Sequence, residues 1–183
     1  MIKISPNLGE IYFMKNALKI LFKSLRSLSF DKIVRLLRLT LRNPIFSVLG
    51  LYATLKTFTL AKKYFPITNS AHGIGNAFRH ALWTSLMMMY CCKISSPQKS
   101  YVFCKRFTDM HEELFPNEPI ETKMDLHNNQ VGLNIFMEML PGIHRQFFET
   151  GFLIDKILEK TKTAKILQSV DENPGNELVF LDK

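Results

Sequence analysis

The chain has 183 residues, 46% of them hydrophobic and 22% charged. That is globular composition with length enough for one core, and it excludes a collagen-like, low-complexity or wholly disordered chain. Net charge is +8, yet residues 1–66 hold 12 Lys and Arg against 2 acids, while the remainder holds 12 against 14. A basic excess confined to the first third points to an anionic partner: a lipid surface, a nucleic acid or an acidic protein.

The first predicted element is a helix over 11–28. Lys15, Lys19, Lys23 and Arg26 stack on one face, and Met14, Leu18, Leu21, Leu25 and Leu28 on the other. The cations interrupt any signal-peptide core, so the expected location is cytoplasmic, or peripheral at the cytoplasmic membrane face. A second basic amphipathic helix follows, capped by Asp31, with Ile33, Leu36, Leu37 and Leu41 as its apolar stripe; Asn43-Pro44 ends it. Such stripes either face a core or lie on an anionic membrane, which makes residues 1–42 the candidate membrane contact. No helix-turn-helix, zinc-finger or RNA-binding signature is present, so no specific nucleic-acid partner is expected; a protein partner stays open. Residues 1–43 thus form a basic amphipathic arm and 44–183 a helical domain.

Pro44 opens a third helix to Tyr64. Lys56 is the only charge between Ile45 and Ala61, so a buried core helix is expected, with an interfacial or spanning helix as alternatives. After a loop over 67–75, helices are expected over 76–90, 99–114, 119–140 and 143–160, with one or two further turns over 164–170. Asn173-Pro174-Gly175-Asn176 is a turn, and Leu178 to Leu181 a short extended tail. Strand signals are otherwise absent. The fold class is all-α: a compact multi-helix bundle with the basic arm in front and the extended tail behind. Three cysteines, two of them adjacent, make no disulfide framework, which suits a reducing compartment.

Three of these helices carry polar groups on faces that periodicity turns inward. The 76–90 helix presents Asn76, Arg79, His80 and Thr84. The 99–114 helix presents Thr108, His111 and Glu112, with Asp109 beside them. The 119–140 helix presents Glu121, Asp125, Asn128, Asn129 and Gly132. Each such group costs about 1–3 kcal/mol if buried unpaired, so the set is tolerable only if its members meet. The expected result is one cluster. It is either a structural network, with Asp125 paired to Arg79, or a reaction centre. In the second reading His80, His111, Glu112 and Asp125 are the catalytic candidates, and Asn76, Arg79, Asn128 and Asn129 hold substrate. The same His80, His111, Glu112 and Asp125 could ligate a divalent metal, zinc or manganese, although neither the zincin spacing nor the di-iron pattern occurs. His72 reads as a loop residue, His127 as peripheral, His144 as a helix-start residue and Met87 to Met89 as core filling.

The blocks His72-Gly73-Ile74-Gly75-Asn76-Ala77-Phe78-Arg79-His80-Ala81-Leu82-Trp83, then His111-Glu112, then Met124-Asp125-Leu126-His127-Asn128-Asn129-Gln130-Val131-Gly132 occur in this order. They resemble a family of uncharacterised bacterial helical domains with the pattern N-G-x-G-[DN]-A-x-R-H-x-x-W, A-H-E, M-D-[LI]-x-N-N-x-V-G. Such domains stand alone or at the ends of large toxin-like proteins. The likeness covers about residues 71–133 and departs at Ala71-His72, where the pattern has Asn. Its fixed positions would fall on Asn76, Arg79, His80, Trp83, His111, Glu112, Asp125, Asn128, Asn129 and Gly132, which implies a functional site there and an antibacterial effector role by analogy. Together these readings suggest a hydrolase at a membrane surface, acting on a phosphodiester or lipid-like substrate. The alternative is a non-enzymatic membrane-peripheral or partner-binding bundle with a structural polar network.

Overall fold

A computed structural model describes residues 19, 23, 25–69 and 72–182. The helix expected over 11–28 lies largely outside them. Six α-helices follow in chain order among the described residues: α1 (Phe30–Arg42), α2 (Pro44–Tyr64), α3 (Ile74–Ile94), α4 (Pro97–Leu114), α5 (Pro119–Met139) and α6 (Thr150–Thr161). Three of them begin at a proline, whose missing N–H is one of the donors a helix start leaves unused. The all-α expectation holds. Asp31 sits in the first turn of α1 rather than at its cap, which is Ser29. The segment expected as a helix over 143–160 splits into a 3-10 turn, Arg145–Phe147, and α6. His144 caps that turn, its Nδ1 accepting from the Gln146 N–H.

α3 is the axis of the bundle. Sixteen of its 21 residues are buried, and it packs against α2, α4, α5 and α6. The tightest crossing is with α5. A Cβ on Gly132 would collide with Thr84 Oγ1 and the Ala81 carbonyl, and would lie 2.8 Å from Ala81 Cα. The approach lets Ser85 Oγ donate to the Gly132 carbonyl (2.8 Å) and Thr84 Oγ1 to the Asn129 carbonyl (2.9 Å).

The extended tail is present, and it has an unexpected partner. Lys165–Ile166 forms a strand (β1) parallel to Val179–Phe180 (β2), where helical turns were expected. The signal was weak because the pairing is only two residues long and its partner lies 14 positions on. Leu167, Val179 and Leu181 bury themselves against Met124 at the start of α5.

Two helices depart from their expected burial. α2 has mean hydropathy 1.3 and is long and apolar enough to cross a membrane, but only 22% of that stretch is buried. It is not a core helix. It lays small residues, Gly50, Ala53, Thr57 and Ala61, on α3 and turns larger ones such as Ile45, Val48 and Tyr52 outward. Absence of charge had suggested full burial, but only the small residues are fully covered, with Phe46, Leu49 and Leu60 half-buried beside them. α1 is also inverted. Leu39 is its single buried residue, while Phe30, Ile33, Leu37 and Leu41 form an exposed row. α1 still docks on the domain, with Lys32 Nζ donating to the Leu114 carbonyl at 2.6 Å.

The Gly132 crossing predicts that Gly132→Ala destabilises the chain by about 1–3 kcal/mol despite alanine's better helix propensity. Urea unfolding checks this, and a change within experimental error would refute the close approach.

Candidate active site

Asn76, Arg79 and His80 lie on one face of α3, Asp125 and Asn129 on one face of α5, and His111 and Glu112 in the last turn of α4. His80, Glu112 and Asp125 are each 5% exposed, and Asn76 and Asn129 are 2% exposed. A continuous hydrogen-bond chain joins most of them. Arg79 Nη2 donates to Asn76 Oδ1, and Asn76 Nδ2 to Asp125 Oδ1 at 3.0 Å. Asp125 Oδ1 lies 3.3 Å from His80 Nε2. On the other side of that ring, His80 Nδ1 is 3.1 Å from Asn129 Oδ1, and Asn129 Nδ2 donates to Glu112 Oε1 at 3.4 Å. The expected convergence is therefore present, with one change. Arg79 and Asp125 are linked through the Asn76 amide instead of as an ion pair.

The chain assigns the imidazole tautomer. Asn129 gives its N–H to Glu112, so its oxygen must accept from Nδ1–H of His80. Nε2 then carries the lone pair, facing Asp125, with Arg79 Nη2 3.4 Å away. Burial holds His80 down to about 3, helped by the neighbouring Arg79 charge. His111 is lowered to about 4, by burial first and then by His80 and Arg79. Burial pushes Glu112 up to about 8, with the Asp125 charge adding to it. Asp125 rises to about 6 because burial outweighs Arg79 and the Asn76 hydrogen bond, which pull it back. Near neutrality both rings are thus neutral, Asp125 is largely ionised and Glu112 largely protonated.

The predicted residues separate on inspection. His80, Glu112 and Asp125 each bring a ligand atom within 4.8 Å of the others and could hold a metal ion. Ligand atoms about 2 Å from one ion lie within roughly 4 Å of each other, so a small side-chain rotation closes the set. His111 is not in that group. Its ring packs on Trp83 (centroids 5.1 Å) and Phe115 (5.1 Å). Asn128 is not brought to the cluster either. Both ends of its amide are taken by Val179, whose N–H it accepts at 3.0 Å and whose carbonyl it bonds at 2.8 Å. It pins β2. Asp109 pairs with Lys105 at the surface, and Thr108 bonds back to the Cys104 carbonyl. Glu121 faces His72 at 3.3 Å, and His127 bonds the Glu177 carbonyl.

A cleft of about 260 Å³ opens beside the cluster. Arg79, His80 and His111 reach it, and Thr54, Thr57, Phe58 and Trp83 complete its wall. Thr54 Oγ1 accepts from Trp83 Nε1 at 2.8 Å. Thr57 is 3% exposed and its hydroxyl has no hydrogen-bond partner among the described residues. Sequence reasoning missed Thr54 and Thr57. Both sit in a helix free of motifs, and only the tertiary packing of α2 on α3 shows which hydroxyl lacks a partner.

The sign of the pH dependence follows from these shifts. Glu112 and Asp125 are raised in the fold, so their contribution is complete below the ordinary carboxylate range and is lost as pH rises through about 6 and about 8. His80 and His111 are lowered, so their contribution is complete above about 6.5 and is lost as pH falls toward 4 and 3. The metal-free protein is expected to have its highest urea midpoint between about pH 6 and 7 and to weaken toward about pH 9, with Glu112→Gln flattening the alkaline side. A wild-type midpoint that stays level across the alkaline range would contradict the buried placement of Glu112.

No curated protein and no solved structure matches the chain. A family model does, from the second half of α1 to β1, and so more widely than the three sequence blocks. Residues 37–165 fit the model described as Domain of unknown function (DUF6973), and the chain belongs to that family.

Proposed function

We propose that the protein is a metal-assisted hydrolase acting at a membrane surface on a phosphodiester or lipid-like substrate. The observation that carries this reading is the buried His80, Glu112 and Asp125 set, of which His80 reaches a cleft that also holds a second neutral histidine and a hydroxyl without a partner among the described residues. A purely structural network has no need of such a cleft. His80, Glu112 and Asp125 would hold zinc or manganese, and a bound divalent ion supplies Lewis acidity and a more acidic water. The donor set fits. One imidazole nitrogen and two carboxyl groups converge, and the Nε2 lone pair of His80 faces the Asp125 carboxylate at 3.3 Å with the Arg79 guanidinium 3.4 Å from Nε2.

The chain's own residues take the remaining roles. Asn129 fixes the His80 ring and Asn76 fixes Asp125. His111, neutral and bare of hydrogen bonds to described residues, takes a proton from the attacking water or returns one to the leaving group. Thr57 Oγ1 donates to a substrate oxygen. Arg79 keeps a positive charge beside the oxygen on which negative charge develops. Phe58 and Trp83 exclude bulk water. The exposed row of Phe30, Ile33, Leu37 and Leu41 supports a membrane-facing position. An effector role toward competing cells is the biological setting this reading favours.

The test uses the full-length protein with manganese or zinc as titrant and bis(p-nitrophenyl) phosphate as substrate. One equivalent of metal should bind, and His80→Ala and Asp125→Asn should abolish binding. His111→Ala should retain metal and lose turnover by about 10²–10⁴-fold, the range of general acid–base catalysis. If all three variants lose only stability, and the wild type neither binds metal nor turns over, the cluster is a structural network and the chain a non-enzymatic bundle.

A further inference from the structure

A second concavity lies away from the cleft, between α1, the start of α2 and α4. It encloses about 830 Å³. Arg35, Arg38 and Arg42 enter it from α1, and Lys99 and Arg106 from α4. Its one carboxylate is Glu113, which stands 3.8 Å from Arg35 with both side chains about two-thirds exposed. Arg38, Arg42, Lys99 and Arg106 pair with no carboxylate among the described residues. Beneath the cations the lining is apolar: Leu39, Phe46, Val102, Phe103 and Met110. Phe46 and Phe103 meet edge to face at 5.1 Å, giving that floor a rigid aromatic seam.

Five cations over an apolar floor define the complementary ligand as an amphiphile with an anionic head. Four of the five lining cations of α1 and α4 are arginines, whose planar fork matches phosphate oxygens in pairs. The rim identifies the source. Phe30, Ile33, Leu37 and Leu41 of α1 are exposed, as are Ile45 and Val48 at the start of α2, so the helix that carries the cations also carries a surface suited to the acyl boundary of a bilayer. Residues 1–29 are not the electrostatic complement, since they hold five Lys and Arg against one Glu.

We infer that the α1–α4 groove seats the phosphate headgroup of an anionic phospholipid while the apolar row of α1 enters the same leaflet. This rests on the membrane half of the function proposed above and not on its chemistry, so it can fail while the hydrolytic reading stands.

The experiment is flotation of the full-length protein with vesicles of phosphatidylcholine alone and of phosphatidylcholine doped with phosphatidylglycerol. Wild type should bind the doped vesicles at least ~10-fold more tightly. The triple variant Arg38→Lys, Arg42→Lys, Arg106→Lys keeps every charge and loses the forked geometry, so most of that preference should disappear. Leu37→Ser with Leu41→Ser should weaken binding to both vesicle types, which reports the apolar row independently of the groove. Circular dichroism confirms that the variants fold. Equal binding of both vesicle types by wild type overturns the inference, as does a triple lysine variant with wild-type preference, which would mean diffuse attraction alone. Displacement of the vesicles by a short RNA that binds more tightly overturns it in favour of a nucleic-acid groove.

Discussion

Helix α3 has no side left for solvent, and that constraint organises the molecule. Four helices pack around it, so every polar group it carries must find a partner inside the fold. Gly132 and Ser85 bring α5 close enough for backbone carbonyls to serve as acceptors. The same closeness sets Asp125 and Asn129 opposite Asn76 and His80. The cluster is thus a consequence of helix packing before it is a site. Widen the crossing and the hydrogen-bond chain breaks at both amides, each of which bridges α3 to α5.

Amides, rather than ion pairs, carry the charge balance. A direct Arg79–Asp125 contact would hold the carboxyl low and bury a fixed ion pair, whose desolvation can outweigh its attraction. With Asn76 between them, Asp125 stays near 6 and Glu112 near 8. The two carboxyl groups thus differ in protonation near neutrality, while both imidazoles stay neutral. The hydrogen bonds that lock the helices leave His80 and the His111 ring among the residues that line the cleft.

Much of this was legible in residue order. Prolines 44 and 119 mark two helix starts, whereas α4 begins at Pro97, two residues before its expected start; the cost of stranded polar groups brought His80, Asp125, Glu112 and Arg79 together. What failed shares one cause: periodicity shows which face a residue occupies but not what that face meets. Asn128 stands one position from Asn129 and shares its stripe, yet a two-residue strand from the far end of the chain claims its amide. Thr57 sits in a helix read only for its lack of charge, and the α2–α3 contact is what leaves its hydroxyl without a partner among the described residues. The uncharged α2 read as core although its large side chains point outward, because small residues make its inner face.

The inverted amphipathicity of α1 gives the charge asymmetry of the sequence a structural meaning. A helix that packs its apolar stripe on the core leaves its cations in solvent, where they screen one another and attract little. α1 leaves both sets outward: Arg35, Arg38 and Arg42 line the groove with their side chains still exposed, and Phe30, Leu37 and Leu41 are exposed as well. Exposing that row without a partner forfeits roughly 25 cal/mol for each Å² of apolar surface left in water. Holding five cations in one groove adds mutual repulsion. The lipid inferred above would relieve both penalties together, its anionic head in the groove and its acyl chains over the row. Because α2 and α4 wall both the groove and the cleft, a lipid seated on one side would brace the two helices that shape the other.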